Sequence, residues 1–156
     1  MKKNQGFSLV ELIVVIAIMA VLVGVLAPAY LRYVEKSRKS TDVSSISDFL
    51  AAAEKVAIDP QWDLAAGTIF KLTGQGTLTP SVTAGAAGTA ANVTGAETEW
   101  KAIAGNTYEC KSKEFKAETF TFTGTLQATG AVTWTISAAK LIEFSPDFAS
   151  KWGSGS

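Results

Sequence analysis

A run of twenty consecutive uncharged residues, 12–31, constrains this chain more than any other feature. Nearly all of them are Val, Ile, Leu, Ala or Met, so a helix formed here is apolar on every face. Twenty residues are about what an α-helix needs to cross a hydrocarbon core of roughly 30 Å. A helix in a soluble core is shorter and apolar on one side only. The run therefore predicts a membrane-spanning helix.

The bulk composition excludes several classes of function. The chain has 156 residues, enough for one ordinary domain, and its 14 basic residues balance 14 acidic ones, so no nucleic-acid partner is indicated. It has no histidine, which excludes Ser-His-Asp triads and the common zinc sites. Cys110 is the only cysteine, so no intrachain disulfide can form. We therefore expect the chain to have no enzymatic activity and to bind no metal and no cofactor.

The residues ahead of the apolar run carry a specific motif. A short basic leader, MKKNQ, is followed by Gly6 and Phe7, and Glu11 is the fifth residue after Gly6. This arrangement resembles the class III signal of type IV pilins and pseudopilins. The resemblance covers about the first forty residues and implies cleavage between Gly6 and Phe7 by a prepilin peptidase, followed by N-methylation of Phe7.

The same resemblance implies the partners and the location of the product. The chain would be a single-pass membrane protein with its N-terminus inside, and would then join identical subunits in an extracellular filament through a pilus assembly platform. The charges alone do not give this orientation, because Lys2 and Lys3 precede the apolar run whereas Arg32, Lys36, Arg38 and Lys39 follow it.

Glu11 lies at the edge of the apolar run, where a carboxylate is costly unless it has a partner or a function. Cleavage would leave the ammonium of Phe7 four residues away. In the resembling family this glutamate is thought to neutralise the N-terminal amine of a neighbouring subunit, so Phe7 and Glu11 are the predicted assembly residues. The alternative is that Glu11 sits at the membrane boundary and reaches water.

Gly24 and Pro28 are the predicted kink residues of the membrane helix. Proline removes an intrahelical hydrogen bond, and the glycine four residues earlier loosens the same turn. In the resembling family this region can bend or lose helical order in the filament.

After Arg32 the sequence becomes amphipathic, and a proline at position 60 forces the helix to end. We therefore predict one helix from about Phe7 to Ile58. Its apolar positions recur at intervals of three and four and are Val43, Ile46, Phe49, Leu50, Ala53, Val56 and Ala57.

The second half of the chain predicts β-structure. Large apolar residues between positions 120 and 136 occupy even positions with threonines between them, which is typical of half-buried strands. Thr129-Gly130 predicts a hairpin turn, and weaker strand candidates are 68–72, 100–104 and 140–144. The expected fold is α+β, with the long N-terminal helix packed against an antiparallel sheet of about four strands, as in pilins.

The predicted organisation is a leader (1–6), a transmembrane and filament-core helix (7–31), its amphipathic continuation (32–59), a β-rich domain (60–150) and a flexible tail (151–156). Residues 83–98 are rich in Gly, Ala and Thr and are expected to form a mobile surface loop.

Two alternatives to a pilus subunit stay open. One is a pseudopilin of a type II secretion or DNA-uptake apparatus, which carries the same signal. The other is a secreted binding module, because Ala27-Pro28-Ala29 has the form of a signal-peptidase site. Many pilins close a C-terminal loop with a disulfide, which the single cysteine forbids here; this departure is compatible with a Gram-positive source.

Overall fold

The computed structural model describes residues 7–153. In chain order the elements are α1 (Leu9–Ala57), β1 (Ile69–Gln75), β2 (Thr77–Thr83), α2 (Ala90–Ala104), β3 (Tyr108–Glu109), α3 (Lys113–Lys116), β4 (Thr119–Leu126), β5 (Val132–Ser137), α4 (Ala139–Phe144) and α5 (Pro146–Trp152). They fall into two compact units, the first ending at Ser37 and the second, called the domain below, beginning at Arg38.

The long predicted helix is confirmed as α1, which begins and ends within two residues of the predicted limits. Beyond it, the side chain of Asp59 accepts a hydrogen bond from the Gln61 N–H (2.9 Å), which turns the chain ahead of the following loop. Within the domain α1 buries the predicted apolar stripe, although Val43 is only half-buried. The buried residues of α1 are Asp42, Ile46, Phe49, Leu50, Ala52, Ala53, Val56 and Ala57.

The sheet has five strands in the order β3-β2-β1-β4-β5, and every neighbouring pair is antiparallel. The predicted hairpin is confirmed: β4 and β5 pair as far as Leu126 opposite Val132, and Gly130 in the turn has φ 82°. The candidate at 68–72 is confirmed as the start of β1. One face of the sheet packs on α1, which confirms the α+β pilin-like arrangement.

Two of the weaker strand predictions are wrong. Residues 100–104 end α2, and residues 140–144 belong to α4. On α2 the buried residues Val93, Ala96 and Trp100 have helical spacing, and five-residue windows cannot separate this period from a strand. A short apolar run is ambiguous until its flanking residues are assigned.

The mobile loop predicted at 83–98 is also wrong, because most of it belongs to α2. Thr89 caps this helix by accepting a hydrogen bond from the Asn92 N–H (3.4 Å). Small residues allow close packing here: a Cβ at Gly95 would lie 1.9 Å from the Trp62 ring, and the Trp62 indole N–H donates to Glu99. The small side chains that suggested disorder are those that let α2 approach its neighbours.

The strand β2 was not predicted, and it contains Pro80, which cannot donate a hydrogen bond to a sheet. Pro80 lies beyond the short β3 strand, which pairs only with Thr77 and Leu78. Alternate residues of a strand point their N–H groups to the same side, so Pro80 faces the uncovered edge together with Val82. Glu97 of α2 accepts the Val82 N–H (3.0 Å) and closes this edge.

Neighbouring groups keep the Glu97 side chain ionised. Burial raises the pKa of Glu97, but hydrogen bonds from Lys101 and from the Val82 N–H outweigh it, so the pKa lies below its ordinary value. Glu97 therefore stays ionised, and its contribution to stability is lost only as the pH falls through that lowered pKa.

The predicted tail at 151–156 begins too early. Lys151 and Trp152 belong to α5, and Trp152 is buried with its ring edge-on to Trp134. Two tryptophans held in this way stabilise the C-terminal part of the domain by burial of apolar area. Residues 154–156 lie outside the described part of the chain.

Asp42 is fully buried and joins α1 to the segment around α3. Its carboxylate accepts hydrogen bonds from the Tyr108 hydroxyl (2.6 Å) and from the N–H groups of Lys111 (2.8 Å) and Ser112 (2.8 Å). One turn earlier, Lys39 binds Glu114 at 2.5 Å and lies over the rings of two phenylalanines. These polar contacts thus hold the segment around α3 to the part of α1 that begins the domain.

Cys110 lies beside this cluster and is buried. Burial, and then the nearby Asp42 carboxylate, raise the pKa of the thiol from about 9 to about 12. Burial and the hydrogen bond to Asp42 also raise the pKa of Tyr108. Both groups are therefore held in their neutral forms by the fold.

We predict that the domain loses stability in alkali and that Cys110→Ala removes part of this loss. Because the folded pKa is raised, the contribution of the thiol is complete below pH 9 and falls as the pH rises towards 12, by at most about 1.4 kcal/mol per pH unit. The measurement is urea unfolding of a fragment beginning at Arg32, at pH 8 and at pH 10.5. Identical pH dependence in the wild type and Cys110→Ala would contradict the prediction.

Candidate functional site

The start of α1 is fixed by a short polar motif. Ser8 precedes the helix, its carbonyl accepts the Leu12 N–H (3.2 Å), and its own N–H donates to Oε2 of Glu11 (2.9 Å). A serine before the first helical residue with a glutamate three positions later is the sequence pattern of a capping box, and the hydrogen bond from the Ser8 N–H to Glu11 is one of the two bonds of that motif. Ser8 and Glu11 thus define where the helix begins.

This arrangement gives Glu11 a local function that the sequence interpretation overlooked. The first N–H groups of a helix have no intrahelical acceptor, and the helix dipole places partial positive charge there. A carboxylate in the first turn is favourable for both reasons. The signal was present in the sequence as Ser-x-x-Glu, directly before an apolar run.

Phe7 and Glu11 lie at the same end of the helix, whereas Gly6 lies outside the described residues. Phe7 is not helical and is 87% exposed, and it is bonded directly to the serine whose N–H binds Glu11. The structure therefore places the predicted new N-terminus close to the predicted assembly carboxylate.

Gly24 and Pro28 both lie inside α1, which continues past the proline. A Cβ added at Gly24 would have no neighbour within 4 Å. The bend expected at these residues stays a prediction.

The first unit exposes a continuous apolar surface. All residues from 7 to 33 are exposed, and the most apolar window of eighteen residues in α1 has a mean hydropathy of 3.1. Among the described residues, one helix, α1, is both long enough and apolar enough to cross a membrane. Such a surface is unfavourable in water, so lipid or other helices must cover it.

Comparison with known proteins identifies this N-terminus. Residues 1–27 match the prokaryotic N-terminal methylation motif. Two fimbrial proteins of Pseudomonas aeruginosa are 34% identical to the chain over 59 residues, and fimbrial protein Q of Moraxella bovis is 39% identical over 59 residues. The N-terminal segment is therefore similar to that of fimbrial proteins and carries the methylation motif.

The similarity to these fimbrial proteins is confined to part of each chain. The matched segment is 38% of this chain, 38% of each Pseudomonas relative and 34% of the Moraxella one. The matched segment thus spans well under half the length of the relatives, and no solved structure matches the chain significantly. These relatives lend no support to the Gram-positive source suggested by the single cysteine.

The pilin family is structural rather than enzymatic. Among residues 7–153, no group of three or more Asp, Glu or Cys side chains is arranged to hold a metal ion. The charged groups with shifted pKa values, such as Glu97 and Glu109, are bound to lysines on the domain surface.

Proposed function

We propose that the chain is the precursor of a type IV pilus subunit. A prepilin peptidase would cut between Gly6 and Phe7, and the new N-terminus would be methylated. Residues 7–31 would anchor the subunit in the membrane and later form the filament core with identical subunits, assisted by an assembly platform. The domain would lie outside the cell and form the filament surface.

The observation that carries this proposal is the position of Glu11. It is a charged residue in the first turn of a helix whose following twenty residues are apolar, and it is in register with the Gly6-Phe7 bond inside the methylation motif. A secretory signal sequence would need no carboxylate at this position. A soluble helix would not expose so large an apolar surface.

The geometry suggests how one carboxylate can serve two needs during assembly. An ionised carboxylate offers about four acceptor positions on two oxygens. One is used by the Ser8 N–H of the same helix, which leaves the others for an ammonium group. In a bundle without water, that ammonium would be the N-terminus of Phe7 in a neighbouring subunit, and the pair would avoid a buried unpaired charge.

The proposal predicts the chemical form of the mature N-terminus. Mass spectrometry of surface filaments sheared from cells should find a chain that begins at Phe7 and carries one extra methyl group on its amine. Long filaments containing this protein would also separate a pilus subunit from a pseudopilin, which forms a short fibre. A mature chain beginning at Tyr30 would establish ordinary secretion instead and would refute the pilin function.

A further inference from the structure

Basic residues follow the apolar run on the side that the proposed function places outside the cytoplasm. The positive-inside rule does not favour basic residues there, and the proposed function does not explain them. Arg32 and Lys36 lie one turn apart on α1 and are both exposed. Glu35 offsets only one of these charges. Basic residues on the translocated side of a membrane segment run against that rule.

The depth of these residues follows from the geometry of the helix. The twenty residues 12–31 span about 30 Å, which matches the hydrocarbon core of a bilayer. Arg32 then lies at the boundary of the core, and Lys36 lies about 6 Å further along the axis. The headgroup layer on each side is roughly 5–8 Å thick, so both cations fall within it.

Aromatic residues mark the same depth. Tyr30 and Tyr33 are 66% and 72% exposed, and tyrosine is favoured at the membrane–water boundary. Arg32 and Lys36 are four residues apart and Tyr33 and Lys36 are three apart, so Lys36 lies between Arg32 and Tyr33 on one side of the helix. Arginine can bind a phosphate through two parallel N–H groups, and lysine adds a point charge.

We propose that Arg32 and Lys36, with Tyr33 beside them, bind the phosphate of an anionic phospholipid headgroup in the extracytoplasmic leaflet. The site holds the subunit at a fixed depth before assembly. It is built on the first unit of the chain alone, and it rests on the proposed function only because that function places α1 across a bilayer. Leaving the membrane for a filament then requires release of this lipid.

The test uses the full-length precursor reconstituted into vesicles of equal phosphatidylcholine and phosphatidylglycerol. After mild extraction, native mass spectrometry measures the ratio of the two lipids retained by the protein. Each cation near a lipid surface contributes about fivefold, so the wild type should prefer the anionic lipid at least tenfold at low salt. The double variant Arg32→Gln/Lys36→Gln should lower the ratio towards one.

The matched control is Lys55→Gln/Lys71→Gln, which removes the same charge from exposed positions of the domain and should keep the preference. Equal retention of both lipids by the wild type, an unchanged preference in the Arg32/Lys36 variant, or an equal loss in the control would each overturn the headgroup site. Extraction of the vesicles with alkaline carbonate separates the two proposals. A precursor that is stripped off refutes the membrane anchor as well, whereas an integrated precursor without a lipid preference refutes only the headgroup site.

Discussion

Replacing Asp42 by asparagine should destabilise the domain by about 2–4 kcal/mol, although the two side chains have nearly the same shape. The Asp42 carboxylate accepts hydrogen bonds from three donors, the Tyr108 hydroxyl and the N–H groups of Lys111 and Ser112. An asparagine has one acceptor oxygen and one NH₂ donor. Its NH₂ group cannot accept from Lys111 or Ser112 and at best donates to the Tyr108 hydroxyl, so charge-assisted hydrogen bonds are replaced by weaker neutral ones that a single amide oxygen must share.

Urea unfolding of the fragment beginning at Arg32 measures this loss, with Asp48→Asn as the matched control. Asp48 lies on the same helix but is exposed, so its substitution should change stability by less than about 0.5 kcal/mol. Tyr108→Phe removes only one of the three donors to Asp42 and should cost about 1 kcal/mol. If the fragment with Asp42→Asn unfolds at the same urea concentration as the wild type, the hydrogen bonds to Asp42 contribute nothing to stability.

Elements whose apolar residues recur at a regular spacing could be predicted from the sequence. The stripe on α1 repeats at three and four residues, and β4 and β5 alternate strictly, so their faces follow from local order. The helix α2 could not be recognised in this way because its buried positions include a small residue, Ala96, and its first turn resembles a loop. Its stability comes from contacts distant in sequence, such as the Trp62 ring.

The candidate site could be predicted for the same reason, whereas the buried Asp42 cluster of the domain could not. Phe7 and Glu11 were recognisable because the motif is contiguous, and Ser8 could have been added from its spacing to Glu11. Asp42 could not, since its hydrogen-bond donors are 66 to 70 residues away along the chain. In the sequence it is one more polar residue on an amphipathic helix, and only the fold brings the donors to it.

Glu11→Ala should be cleaved and should accumulate in the membrane with a folded domain, yet enter filaments at least tenfold less than the wild type. The domain begins at Arg38, far along the chain from Glu11, so its folding has no reason to change. In a bundle of helices without water, an ammonium on Phe7 with no carboxylate would cost several kcal/mol, and about 1.4 kcal/mol corresponds to tenfold. Glu11→Asp keeps the charge but shortens its reach, so its yield should be intermediate.

Glu11→Gln separates the two functions that the structure suggests for this residue. Its amide oxygen can still accept the Ser8 N–H and cap the helix, but it has no charge to neutralise an amine. If charge governs assembly, Glu11→Gln should form as few filaments as Glu11→Ala; if capping governs it, the yield should approach that of the wild type. The measurement is the ratio of sheared-filament to membrane-bound protein on immunoblots, with an uncleaved Gly6 variant as the negative control. A normal yield from Glu11→Ala would refute both functions and leave Glu11 as a tolerated residue at the membrane boundary.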